Sequence, residues 1–189
     1  MTLKLKIITA STRPGRVGPT VSDWAVKVAK ENEKFDVELV DLAEINLPLL
    51  DEKHHPMMQK YEHDHTKRWS SVIAGADAVI FVTPEYDYFP PASLINAVQV
   101  LSREWKYLPI GVVSYGGVSG GLRSAQEVRQ LLGNVGAYAI QQTMPIPFFP
   151  QFIDDKGEFT ANAKMNEGIA GMVDELAKLA VVLKPLRSV

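Results

Sequence analysis

The chain has 189 residues, no cysteine, 22% charged and 46% hydrophobic residues, and a formal net charge of −2. This length and composition predict one globular domain with a full core, spanning residues 1–189. They exclude disulfides, thiolate metal sites and cysteine catalysis, offer no charge footprint for nucleic acid or an anionic membrane, and contain no apolar run near the roughly 20 residues that cross a bilayer.

Strands and helices are predicted to alternate along the whole chain. Met1-Thr2-Leu3-Lys4-Leu5-Lys6 opens a strand over Leu3–Thr9 with alternating lysines, unlike a secretory leader, so a cytoplasmic location is expected. A helix follows over Pro19–Glu31, with Gly18 as the expected N-cap and Pro19 at the first helical position. The second strand is Asp36–Asp41, followed by a loop over Leu42–Pro56 and a helix over Met58–Ala74 with Tyr61, His65, Trp69, Val72 and Ile73 on one face. The third strand, Ala78–Val82, is continuously apolar, as in a parallel sheet covered on both faces. Then come a helix over Ala92–Leu101, a strand over Ile110–Ser114, a helix over Gly121–Leu132 and a strand over Ala137–Thr143. Met144–Gly157 is rich in proline and phenylalanine and is expected to be irregular, and the last helix covers Ala161–Leu183. The expected fold is α/β, a doubly wound three-layer sandwich on a five-stranded parallel sheet, and the order 2-1-3-4-5 is assumed for its strands. Its ligand belongs at the carboxyl ends of the strands.

Ala10-Ser11-Thr12-Arg13-Pro14-Gly15-Arg16-Val17-Gly18 joins the first strand to the first helix. Such a loop presents unpaired backbone N–H groups and the positive end of the helix dipole. Ser11, Thr12, Arg13 and Arg16 add side-chain donors of the kind that grip phosphate. No Gly-Lys-[Ser/Thr] of a Walker loop occurs, and G-x-G-x-x-G is absent after the first strand. The alternatives that remain are a mononucleotide phosphate clamp and a basic turn that binds nothing.

Two further loops share that edge in the assumed order. Thr83-Pro84-Glu85-Tyr86-Asp87-Tyr88-Phe89-Pro90-Pro91 supplies flat aromatic surfaces on a proline-stiffened backbone. Ser114-Tyr115-Gly116-Gly117-Val118-Ser119-Gly120-Gly121 lets a ligand approach the main chain closely. A planar amphipathic ring fits between two such loops. Phosphate at one end and a tricyclic ring at the other describe FMN. The histidines offer little for metal: His54 and His55 are adjacent, and His63 and His65 lack the i, i+4 spacing of helical ligands.

The chain resembles the NADPH-dependent FMN reductase family of flavodoxin-like oxidoreductases, which includes quinone, azo-dye and chromate reductases. Ala10-Ser11-Thr12-Arg13-Pro14-Gly15-Arg16 is similar to its phosphate motif, Pro84-Glu85-Tyr86-Asp87 to its P-E-Y-N ring motif, and Leu94-Ile95-Asn96-Ala97 to the L-K-N-A helix that follows. Tyr115-Gly116-Gly117 through Gly120-Gly121 matches its Gly-rich loop, and Phe148–Gly157 resembles an aromatic segment leading to D-x-x-G. The resemblance implies an FMN-dependent oxidoreductase. NADPH or NADH would give hydride to flavin N5, and a small-molecule electron acceptor would then be reduced at the same face. It further implies cofactor contacts from Ser11, Thr12, Arg13, Arg16, Val17, Gly18, Pro84, Glu85, Tyr86, Asp87, Tyr115, Gly116 and Gly117, with Gly116 and Gly117 N–H groups beside flavin N1 and O2. No side chain is expected to be catalytic in the narrow sense, and a homodimer or tetramer is implied.

Asp87 departs from the family's asparagine; a carboxylate cannot donate to a flavin carbonyl as an amide can. Its expected role is to cap the next turn or accept a backbone N–H. Two other functions stay open on the residues alone. One is an electron carrier, against which the net charge of −2 argues. The other is an interaction or regulatory module without flavin, which Asp87 favours. Tyr88, Phe89, Phe148, Phe149 and Phe152 are read either as an interface patch or as core.

Overall fold

A computed structural model describes residues 2–187. Its elements are β1 (Leu3–Thr9), α1 (Gly18–Ala29), β2 (Phe35–Asp41), α2 (Leu42–Ile45), α3 (Asp64–Ala74), β3 (Ala78–Pro84), α4 (Ala92–Gln99), β4 (Pro109–Tyr115), α5 (Leu122–Asn134), β5 (Tyr138–Ile146) and α6 (Ala163–Leu183), with short 3-10 turns between them. The five strands form one sheet in the assumed order β2-β1-β3-β4-β5, and every pairing is parallel.

The strand alternation divides the core in two. Leu5 and Ile7 of β1, Ile80 and Val82 of β3 and Val113 of β4 face α1 and α6, where they meet Val21, Trp24, Ile169 and Met172. Ile8, Val79, Phe81, Ile110 and Val112 face α3, α4 and α5 and pack on Trp69, Leu94, Trp105 and Val128. Both tryptophan indoles there are fully buried, and both N–H groups are satisfied: Trp69 donates to Ala97 O (2.7 Å) and Trp105 to Val98 O (3.0 Å). Burial on both faces explains why β3 reads as a continuous apolar run over Ala78–Val82, and every residue of β4 is buried as well.

Some boundaries differ from the sequence expectation. Gly18 is the first helical residue of α1 and Val17 the N-cap, so Pro19 occupies the second position. The expected loop after β2 contains α2, because the Asp41 carboxylate accepts the Ala43 N–H (2.9 Å) and Asn46 ends the turn at φ 50°. The next long helix starts at Asp64 rather than Met58. Tertiary bonds draw the preceding residues away: the fully buried Glu104 accepts Tyr61 Oη (2.9 Å), Ser70 Oγ (2.7 Å) and Gln59 Nε2 (3.3 Å). His63 is therefore the N-cap of α3, and its ring stacks on His65 with centroids 5.1 Å apart. β5 runs on to Ile146, into the segment expected to be irregular, past a register shift opposite Ile110 and Val112 of β4.

Candidate functional site

The loops after β1, β3 and β4 meet at the carboxyl edge of the sheet. Thr9, at the end of β1, donates to Ser22 Oγ (2.6 Å), which ties the strand to α1. Ser93 at the start of α4 donates to Ala10 O (2.6 Å). Ser11 is buried and its Oγ lies 2.8 Å from the Tyr86 hydroxyl, so the first two loops are joined at their base. Thr12 and Arg13 are exposed; among the described residues the Arg13 side chain makes one long hydrogen bond, Nε to Tyr86 Oη at 3.4 Å, and its guanidinium lies 6.0 Å from the Tyr86 ring centroid.

Arg16 is placed differently from Arg13. Its two terminal nitrogens grip Asp41 Oδ1 and Oδ2 at 2.6 Å each, and it also donates to Ser11 O. Both partners are largely buried, with 18% and 14% of their side chains exposed. The structure thus makes Arg16 a strut inside the loop and leaves Arg13 as the cation facing outward. Asp41 escaped the sequence reading; the only signal is a carboxylate at a strand end followed by a helix-forming Leu-Ala-Glu.

The N-terminus of α1 is bare. Val17 gives no side-chain cap and no acidic residue lies in the first turn, so its N–H groups keep their positive field. Gly18 lets Tyr115 reach this point from β4: a Cβ on Gly18 would sit 2.9 Å from the Tyr115 hydroxyl. Burial raises the Tyr115 pKa, and the Tyr86 hydroxyl beside it raises it further, so Tyr115 stays a protonated donor. Its hydroxyl bonds to no protein group among the described residues.

The second loop is a hairpin tip. Tyr86 and Phe89 exchange two backbone bonds of 2.9 Å, and Asp87 (φ 47°) and Tyr88 (φ 76°) both lie in the left-handed region, as in a type I′ turn. This gives Asp87 a backbone reason: aspartate and asparagine are the side chains that best tolerate that region. The expected cap or backbone acceptor role is not found; the Asp87 carboxylate is exposed and bonds to nothing among the described residues. Pro84 ends β3, and its carbonyl accepts Ser124 Oγ (2.8 Å). Glu85 turns inward. Its Oε2 accepts Arg123 N (3.1 Å) and Ser119 Oγ (3.0 Å), and its Oε1 pairs with the Arg123 guanidinium (3.1 Å). The Glu85 carboxylate therefore caps α5 and anchors the third loop.

In that third loop Gly120 (φ 62°) and Gly121 (φ 79°) make the bend, and a Cβ on Gly121 would fall 2.7 Å from Tyr115 N. The Gly116 N–H is bonded to Ile146 O (3.3 Å). Gly117 is exposed with nothing within 4 Å of its would-be Cβ, and its N–H bonds to no protein group among the described residues. Of the two amides expected to serve a ring, Gly117 is the unbonded one. Tyr88 (62% exposed), Phe89 (53%) and Phe148 (56%) stand outward, whereas Phe149 and Phe152 pack against the α1–α6 core.

A cavity of about 420 Å³ lies beside the first loop, lined by Thr12, Leu47, Leu49, Ala92, Ser93 and Asn96. The larger cleft, about 690 Å³ between α1 and the 158–166 segment, shares no residue with the three loops. The candidate site is thus an edge along three loops, where the donor chemistry lies, rather than that cleft. The bare α1 terminus, exposed Thr12 and Arg13, and the unbonded Gly117 amide are donors of the kind that FMN requires.

Known proteins agree with this chemistry. Residues 3–151 match the family described as NADPH-dependent FMN reductase. An NAD(P)H-dependent FMN reductase of Schizosaccharomyces pombe is 38% identical over 168 residues, covering 85% of this chain and 83% of its own. One from Saccharomyces cerevisiae is 30% identical over 164 residues, covering 77% and 85%. The solved structure of a flavoenzyme NAD(P)H:acceptor oxidoreductase from Paracoccus denitrificans shares the fold, with a TM-score of 0.72 at 20% identity over 96% of this chain and 99% of its own. With its five-stranded parallel sheet and the match over residues 3–151, the chain belongs to the NADPH-dependent FMN reductase family.

Proposed function

We propose that the chain holds FMN across residues 10–18, 84–87 and 115–117, takes reducing equivalents from NADPH or NADH, and passes them to a small-molecule acceptor such as a quinone, a free flavin or an azo compound, in ping-pong order. FMN, when bound, supplies the two-electron chemistry. The protein supplies position and polarity. Thr12, Arg13 and the first-turn amides of α1 hold the phosphate; Ser11 and Arg16 keep that loop in shape. Tyr115 serves as a protonated donor beneath it. The Gly117 N–H is a donor for a ring carbonyl oxygen. Pro84, Glu85, Tyr86 and Asp87 form the opposite wall, through backbone and ring surface. No side chain has to move a proton.

The observation that carries this reading is the meeting of an uncapped, acid-free helix terminus with the unbonded Gly117 amide at one sheet edge. The family match over residues 3–151 argues against a module that has lost flavin. The exposed Tyr88, Phe89 and Phe148 border the site and fit a homodimer or tetramer that closes over the ring; we place the protein in the cytoplasm. No helix of the described residues is long and apolar enough to cross a membrane.

The test is to release bound flavin by denaturation, identify it by chromatography, and measure NADPH oxidation at several fixed quinone concentrations. FMN together with parallel double-reciprocal lines supports the reading. FAD, no flavin on titration, or intersecting lines overturns the corresponding part. Sedimentation with and without FMN checks the assembly.

A further inference from the structure

Tyr88 stands at φ 76°, a backbone region that a bulky side chain rarely adopts, and its ring is 62% exposed. Something must hold it there. The Arg123 guanidinium lies 3.9 Å from the Tyr88 ring centroid, within stacking range of its face. Arg123 is itself fixed at both ends: its backbone N–H and its guanidinium each bond to the Glu85 carboxylate, at 3.1 Å and 3.1 Å. Glu85 is only 9% exposed in its side chain and also accepts Ser119 Oγ. One chain of contacts, Ser119–Glu85–Arg123–Tyr88, therefore joins the third loop, the start of α5 and the hairpin tip of the second loop. These two loops are the walls between which a ring would lie.

We infer that Arg123 is a positioning residue that holds the Tyr88 ring as a fixed wall at the mouth of the site and so sets the size of acceptor admitted. This rests on the reading of the three loops as the FMN site. Asp87, the other residue of the tip, carries no such contact, so the wall is Tyr88 and not the motif carboxylate. With the stack removed, the hairpin opens more often, by about two- to fivefold for an exposed cation–π contact. The opening then admits larger planar acceptors without touching the groups that hold phosphate.

The experiment uses the full-length protein as purified, with and without added FMN. Arg123→Ala, Arg123→Lys, Tyr88→Phe and Tyr88→Leu are compared by hydrogen exchange of the peptide spanning residues 84–91, by FMN titration, and by KM for a one-ring and a three-ring quinone. Arg123→Ala and Tyr88→Leu are expected to raise exchange about two- to fivefold and to lower KM for the three-ring quinone by a similar factor. FMN affinity and the one-ring kcat are measured alongside, and the ratio of the two KM values carries the comparison. Tyr88→Phe, which keeps an aromatic face, and Arg123→Lys, which keeps a cation, stay close to the parent. If Arg123→Ala loses its fold through the freed Glu85 carboxylate, Tyr88→Leu carries the same comparison. Unchanged exchange overturns the inference, and so does raised exchange with an unchanged ratio of the two KM values. Failure of the parent protein to bind FMN overturns the reading of the loops instead, and the exchange result still reports on the Arg123 contact.

Discussion

Replacing Arg13 and Arg16 one at a time separates a ligand contact from a strut. Arg16 makes a bidentate pair with Asp41 in which both side chains are more than four-fifths buried. Arg16→Ala leaves Asp41 with the Ala43 N–H as its remaining protein partner and takes a donor from Ser11 O. Breaking a fully buried pair costs about 3–5 kcal/mol; with this pair partly wet, about 2 kcal/mol is expected, a value to be read from urea denaturation of the protein without flavin. Arg13 has no comparable partner, so Arg13→Ala is expected to change stability by less than about 0.5 kcal/mol. Its effect falls on FMN. A hydrogen bond to a charged group contributes about 1.5–3 kcal/mol, which is roughly a 10- to 150-fold rise in Kd. Riboflavin, which lacks the phosphate, should bind Arg13→Ala and the parent about equally. The double variant Arg16→Ala/Asp41→Ala should recover part of the lost stability, since no carboxylate is then left buried alone. The reasoning is refuted if Arg16→Ala leaves stability intact while weakening FMN more than Arg13→Ala does, or if riboflavin affinity falls in step with FMN affinity in Arg13→Ala.

Three more outcomes are expected. Burial raises the Tyr115 pKa above its unfolded value of about 10. Its contribution is complete below that pH and is lost as pH rises toward the folded value, with a slope of up to about 1.4 kcal/mol per pH unit; Tyr115→Phe should reduce the alkaline fall of stability by one proton's worth, and an unchanged slope would sink the assignment. Asp87→Asn should keep FMN affinity within a few fold and leave thermal stability unchanged, whereas Asp87→Val at φ 47° should cost about 1–2 kcal/mol; tighter FMN binding by Asp87→Asn of more than about tenfold would mark the carboxylate as a defect in the ring site. Gly121→Ala drives a Cβ to 2.7 Å from Tyr115 N at φ 79°, so a loss of more than about 2 kcal/mol and of FMN binding is expected in paired denaturation and titration.

The sequence alone determined the alternation of strands and helices and the layers they form, and the order assumed for the five strands is the one the sheet has. Local pattern was enough for the alternation and the layers. An apolar run such as Ala78–Val82, short and rich in β-branched residues between helical patterns, suits a strand covered on both sides, and a loop such as Ser11–Gly18 between strand and helix lies at the sheet edge. The three loops that carry Ser11, Pro84 and Gly116 were expected at one edge, and they meet there. What a given side chain does there was not legible, because it depends on partners distant in the chain. Arg13 and Arg16 look alike in sequence; Asp41, 25 residues on, turns Arg16 into a strut. Glu85 reads as part of a ring motif until α5 arrives, 38 residues later, and takes its carboxylate as a cap. Gly116 and Gly117 read as twin donors until β5 takes one of them through Ile146. The start of α3 moved to Asp64 because the buried Glu104 gains more from Tyr61 and Gln59 than a helix gains from six further residues with proline before them. Only the tertiary structure decided these roles, since a polar group's role is set by which partner reaches it when water is excluded, and those partners are brought together only when the sheet closes its two cores.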